Sequence, residues 1–132
     1  MDLHTAIIAT DKTSEVIGTM TSILNQSAHP RSLLFLENTL SGTRTVPNTT
    51  NAIWALLDAF TRRGVDVSVH LRNAGGLVEN RVYIESIWSA TTGENSAYLI
   101  SDDDHVYPYD YFSSALDLLS ARPTDPLVYA GL

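Results

Sequence analysis

The chain has 132 residues, enough for one domain with its own core, and 44% of them are hydrophobic. Fifteen acidic against eight basic residues leave a formal charge of -7, and with no basic cluster to offset it this argues against a nucleic-acid or anionic-membrane partner. The absence of cysteine excludes disulfides and thiolate metal sites. No stretch reaches the roughly 20 apolar residues of a membrane span, and the N-terminus lacks a leader pattern, so a cytoplasmic location is expected.

Short strand-like runs alternate with longer helical periods, which predicts an α/β fold with a mainly parallel sheet flanked by helices. Thr5 to Thr10 reads as a buried strand, and Val16, Met20, Ile23 and Leu24 follow on one face of a helix that Thr13 or Ser14 would cap. A second strand, Ser32 to Glu37, leads through a polar loop to Pro47. Ile53, Leu57 and Phe60 then recur at helical spacing until Arg62-Arg63-Gly64 stops the helix. Val65 to Leu71 alternates as a third strand, Leu77 to Ala90 carries Ile84, Ile87 and Trp88 as a third helix, and Ala97 to Ser101 is a fourth strand. Pro108 is expected to open a fourth helix that buries Phe112, Ala115, Leu116 and Leu119. The last apolar run, Leu127 to Ala130, reads as a strand, and its place at the chain end predicts a native fold with further elements.

The strongest chemical signal is Tyr98-Leu-Ile-Ser-Asp-Asp-Asp-His-Val-Tyr-Pro108, a strand emptying into three consecutive aspartates. Adjacent carboxylates repel one another, and a hard divalent cation such as Mn²⁺ or Mg²⁺ relieves that repulsion while admitting substrate phosphates. The carboxyl end of a strand is also where ligands bind in open α/β sheets. An acidic run can equally be a solvated cap for the helix that follows. Trp54 and Trp88 lie within apolar helical periods and are expected to pack. His105 adjoins the aspartates, His4, His29 and His70 carry no pattern, and Gly75-Gly76 could bring backbone amides to a phosphate or simply form a turn.

Four further landmarks occur in order. They are Ser22-Ile-Leu-Asn-Gln26 ending the first helix, Glu37-Asn38-Thr39 after the second strand, Asn73-Ala-Gly75 after the third, and Ser101-Asp-Asp-Asp104 after the fourth. Together they resemble the N-terminal, nucleotide-sugar-binding part of the GT-A-fold glycosyltransferases of family 2. The first matches that family's Ser-x-Leu-x-Gln signature, and the last its metal-binding aspartate motif. The pattern departs from the family at Asp11-Lys12, where an aromatic and an asparagine are usual, at Glu37 in place of an aspartate, and at Asn80-Arg81, which reverses an Arg-Asn pair.

The resemblance implies that residues 1–132 form one nucleotide-sugar-binding domain, Rossmann-like in fold and lacking the acceptor part of a full GT-A domain. It implies donor contacts from Thr10, Asp11, Glu37, Asn73, Gly75, Arg81 and Asp102. Metal ligation falls to Asp103, counted back from Pro108, with Asp104 as second choice. The implied reaction is inverting transfer of a sugar from a nucleoside-diphosphate donor, expected to be uridine-linked, with Mn²⁺ or Mg²⁺ as cofactor and an unidentified acceptor. No carboxylate stands out as the base that inversion needs, since Glu79, Glu85 and Glu94 fall on or just after the third helix. Without that base the chain could bind a nucleotide sugar and transfer nothing. A nucleotidyltransferase would carry a glycine-rich basic loop where Thr10-Asp-Lys-Thr-Ser14 stands, and a phosphoryl-accepting signalling domain would split its carboxylates between strands. A hydrophobic flank left uncovered by the absent part would favour a homodimer.

Overall fold

The computed structural model describes residues 1–10, 13–38, 51–72 and 76–121. Strands and helices alternate along the chain: β1 (Asp2–Ala9), α1 (Thr13–Leu24), β2 (Ser32–Asn38), α2 (Asn51–Arg62), β3 (Asp66–Arg72), α3 (Leu77–Thr91), β4 (Ser96–Asp102) and α4 (Tyr111–Ser120). The four strands form one sheet in the order β3-β2-β1-β4, and every pairing is parallel. The fold is therefore Rossmann-like α/β, as the alternation of periods predicts.

The parity of the strand residues shows how the sheet is covered. Leu3, Ile7 and Ala9 of β1 and Leu33 and Phe35 of β2 join a core with Val16, Met20 and Ile23 of α1, Ile53, Leu57 and Phe60 of α2, and Phe112 of α4. The intervening residues Ala6, Ile8, Leu34 and Leu36 point the other way, onto Ile84 and Trp88 of α3. Burial on both faces explains why β1 and β2 read as continuous apolar runs, whereas the edge strand β3 alternates with half-exposed residues. Truncating a fully buried side chain such as Phe35 to alanine is expected to cost about 3–5 kcal/mol.

Several local expectations are refined. Thr13 and Ser14 both lie inside α1 rather than capping it. Gly64 takes φ +85 just past α2, a left-handed conformation that lets the chain turn into β3 without a Cβ clash. Trp54 is 48% exposed rather than packed, because Ile53, Leu57 and Phe60 occupy the inward stripe of α2 and Trp54 lies one residue off it. Trp88 packs as expected, 5% exposed. Helix α4 starts at Tyr111, three residues beyond Pro108, whose carbonyl accepts the Tyr111 N–H. Of its apolar residues only Phe112 is fully buried, with Leu116 and Leu119 packed part-buried against the core. The expected strand from Leu127 to Ala130 lies outside the described residues.

Candidate functional site

Chain order runs outward from β1 through β2 to β3 and then returns to β4 on the other side of β1. The carboxyl ends of β1 and β4 thus flank the point where the winding reverses, and adjacent connections diverge there to leave a crevice. Thr10 follows β1 at this point, and β4 ends at Asp102 with Asp103 and Asp104 just beyond. A cleft of about 340 Å³ opens between them. Its walls are Ile8 and Thr10 from the β1 side, Asn38 at the end of β2, Gly76, Leu77 and Asn80 at the start of α3, and all three aspartates.

The aspartates are not equivalent. Asp103 is 5% exposed, and its Oδ2 accepts both the backbone N–H of Thr10 at 3.0 Å and the Thr10 hydroxyl at 2.7 Å. This pair ties β1 to the loop after β4, and hydrogen bonds to a charged acceptor are about twice as strong as neutral ones. Asp102 and Asp104 are exposed. Between them stands His105, whose Nε2 lies 3.6 Å from Asp102 Oδ2 and 3.8 Å from Asp104 Oδ1. Ligand atoms of Asp102, Asp104 and His105 fall within 4.8 Å of one another. Asp103, the metal ligand expected from spacing, is not one of that trio.

The aspartate loop is fastened from below by the Ser-x-Leu-x-Gln segment. Gln26 is 2% exposed; its Oε1 accepts the Phe112 N–H at 2.9 Å, and its Nε2 donates to the Pro108 carbonyl and, at 3.3 Å, to the Ser22 carbonyl. The Ser22 hydroxyl accepts the Tyr107 N–H at 3.1 Å. Tyr107 in turn donates its hydroxyl to Ser101 Oγ at 2.7 Å, and burial pushes its phenol pKa up. The signature thus has a physical role: two polar side chains at the end of α1 satisfy the irregular backbone between the aspartates and α4.

Of the other expected donor contacts, those that are described do not line this cleft. Glu37 is buried near the end of β2, in register with Ala9 and Leu71, and the cleft is lined by its neighbour Asn38 instead. Arg81 is exposed on α3 and is not among the lining residues. Asp11, Asn73 and Gly75 lie outside the described residues. At Gly76 the backbone N–H donates to the Glu79 carboxylate, so that amide of the helix start already has an anionic acceptor.

Asn80 enters the sequence reading only as half of the reversed Asn80-Arg81 pair, with the donor contact expected at Arg81. Asn80 is 0% exposed, and neither its Nδ2 nor its Oδ1 has a hydrogen-bond partner among the described residues. Leaving a buried amide unsatisfied costs about 1–3 kcal/mol. The available signal was its spacing: Asn80 lies four residues before Ile84 and eight before Trp88, on the buried stripe of α3 where an apolar residue is expected.

No protein-family model matches the chain, and no curated protein sequence does. Among solved structures, the fold is similar to that of S. aureus TarS, with a TM-score of 0.60 over 92% of this chain at 12% sequence identity. The chain spans about 20% of the length of that protein. What the two share at this identity is the fold, a Rossmann-like arrangement of a parallel sheet flanked by helices.

Proposed function

We propose that the cleft at the ends of β1 and β4 is the donor site of a glycosyltransferase-like protein and holds a nucleoside-diphosphate sugar, uridine-linked, together with a divalent cation. The observation that carries this reading is the convergence of Thr10 and three aspartates at the switch point of a parallel sheet. The fold shared with TarS, a glycosyltransferase, supports the same reading.

The donor set fits a hard cation. The carboxylate oxygens of Asp102 and Asp104 suit Mn²⁺ or Mg²⁺, and the imidazole of His105, within 4.8 Å of both, favours the softer Mn²⁺ of the two. When bound, such an ion neutralises charge on the diphosphate leaving group. No lysine or arginine lines the cleft among the described residues, so the carboxylates alone would repel the donor's phosphates. Asp103 acts from beneath, holding the loop through Thr10 so that Asp102 and Asp104 stay exposed. Transfer with inversion forms a bond from the acceptor oxygen to the anomeric carbon as the bond to the diphosphate oxygen breaks. The acceptor's proton must pass to a base that we assign to none of the described side chains.

Calorimetric titration of uridine diphosphate tests the reading. Binding in the presence of Mn²⁺ that weakens at least tenfold when the metal is omitted, and likewise in Asp102→Ala, is the expected outcome. A folded protein that binds no nucleoside diphosphate under any of these conditions would refute it.

A further inference from the structure

The cleft has two chemically different halves. One is anionic, formed by the aspartate run with His105 beside it. The remaining lining is uncharged: Thr10, bonded to Asp103, adjoins the carboxylates, and Ile8, Leu77 and Asn80 carry no charge. Within this uncharged lining Asn80 offers an amide nitrogen with two N–H donors and a carbonyl acceptor, both atoms desolvated and both without a partner among the described residues. Buried side-chain amides are almost always satisfied, so an orphaned pair that lines a cleft points to a partner that arrives with the ligand. The hydroxyls of Thr5 and Thr19 are also buried without partners, but neither residue lines the cleft, and each lies within the core of the fold.

We propose that the Asn80 carboxamide binds the edge of a nucleobase, which makes it a specificity-determining residue of the donor site; the inference rests on the donor reading of the cleft. Asparagine meets an adjacent donor and acceptor on a base edge in bidentate fashion. Sugar hydroxyls could use the same amide, but the neighbouring Ile8 and Leu77 side chains are apolar and suit the faces of a flat ring. The lining then matches the ligand, with the base against Ile8, Leu77 and Asn80 and the cation-bound diphosphate against the carboxylates.

The test combines calorimetry and thermal melting of wild type, Asn80→Leu and Asn80→Ala. Uridine, cytidine, adenosine and guanosine diphosphates are titrated with Mn²⁺ present, and inorganic pyrophosphate serves as a probe with no base. Wild type is expected to prefer one nucleoside diphosphate over pyrophosphate. Asn80→Leu should weaken that nucleotide about 10- to 100-fold while leaving pyrophosphate affinity unchanged. The ligand-free Asn80→Leu protein should melt no lower than wild type, because leucine replaces an unpartnered amide by an apolar group of similar size. Asn80→Ala removes the amide without adding a branch, and shows the same selective loss should leucine crowd the site.

Variants that bind the nucleotide as tightly as wild type, or lose pyrophosphate equally, would overturn the assignment while leaving the donor site intact. A lower melting temperature in both variants with unchanged selectivity would mark Asn80 as structural and overturn it too. A wild type that binds no nucleotide removes the donor reading, and this inference with it.

Discussion

Two buried side-chain amides sit on opposite faces of the same sheet, and their circumstances differ completely. Gln26, at the end of α1, is 2% exposed and bonds the backbone at Ser22, Pro108 and Phe112. Asn80, at the start of α3, is 0% exposed and its side-chain amide bonds nothing among the described residues. Burial of an amide is tolerable when the fold supplies its partners, as it does for Gln26. Where the fold supplies none and a cleft adjoins, the cost is carried by the unliganded state and recovered on binding. On the reading proposed above the first amide is scaffold and the second is site, and substitution separates the two cases.

Among substitutions of polar side chains, the largest effect on stability should come from the scaffold. Gln26→Ala strands the buried Phe112 N–H and the Pro108 carbonyl, and is expected to lower the free energy of unfolding by about 2–4 kcal/mol. Gln26→Leu should be no better, because volume is not what the site lacks. Urea denaturation followed by circular dichroism measures both. If Gln26→Leu proved as stable as wild type, the distinction between the two amides would collapse.

The aspartates repeat the contrast on a finer scale. Asp103→Ala removes a charged acceptor shared by two Thr10 donors and should cost about 1.5–3 kcal/mol. Asp102→Ala removes an exposed carboxylate and should change stability by no more than about 0.5 kcal/mol while weakening metal-dependent binding. The informative measurement is the pair of melting curves beside the pair of titrations. Equal destabilisation by both substitutions would mean that the loop has no separate anchor and ligand carboxylates. Next in size is Ser22→Ala, which strands only the Tyr107 N–H and should cost about 1 kcal/mol in the same urea assay.

These contrasts also show how much could be read in the sequence. Element order and the faces of α1, α2 and α3 were legible because Val16, Met20 and Ile23, or Ile53, Leu57 and Phe60, repeat at the period of a helix whose one side is buried. The aspartate run was legible because composition and position agree. Which of the three is buried was not: whether Asp103 or its neighbours face inward depends on where β4 ends, and β4 extends through Asp102, one residue past the expected boundary. Asn80 was visible only as half of the reversed Asn80-Arg81 pair; its burial was not legible, because an asparagine interrupts the apolar stripe of α3 that Ile84 and Trp88 continue. The donor contacts expected at Asp11, Asn73 and Gly75 lie in segments outside the described residues.

The smallest effect tests whether unsatisfied polarity is a general property of the α3 face. His4 lies on that face at the far end of β1, buried, stacked on Tyr98 at 5.7 Å, with its ring nitrogens 2.7 Å from Ser32 Oγ and 3.4 Å from Ser96 Oγ. It is a partnered buried group, and desolvation lowers its pKa, helped by Arg31 and opposed by Asp2. A histidine whose folded pKa lies below its unfolded value binds fewer protons when folded, so stability rises with pH across the interval between the two values. Its contribution is complete above the unfolded value of about 6.5 and declines as pH falls toward the folded one. His70, also lowered by burial and bonded to the Tyr83 hydroxyl at 2.7 Å, adds in the same direction. Urea midpoints at pH 7.5 and 5.5 should therefore differ, and His4→Phe, which keeps the stack on Tyr98 and removes the titrating group, should reduce the difference. A pH dependence identical to wild type would show that His4 titrates alike in both states.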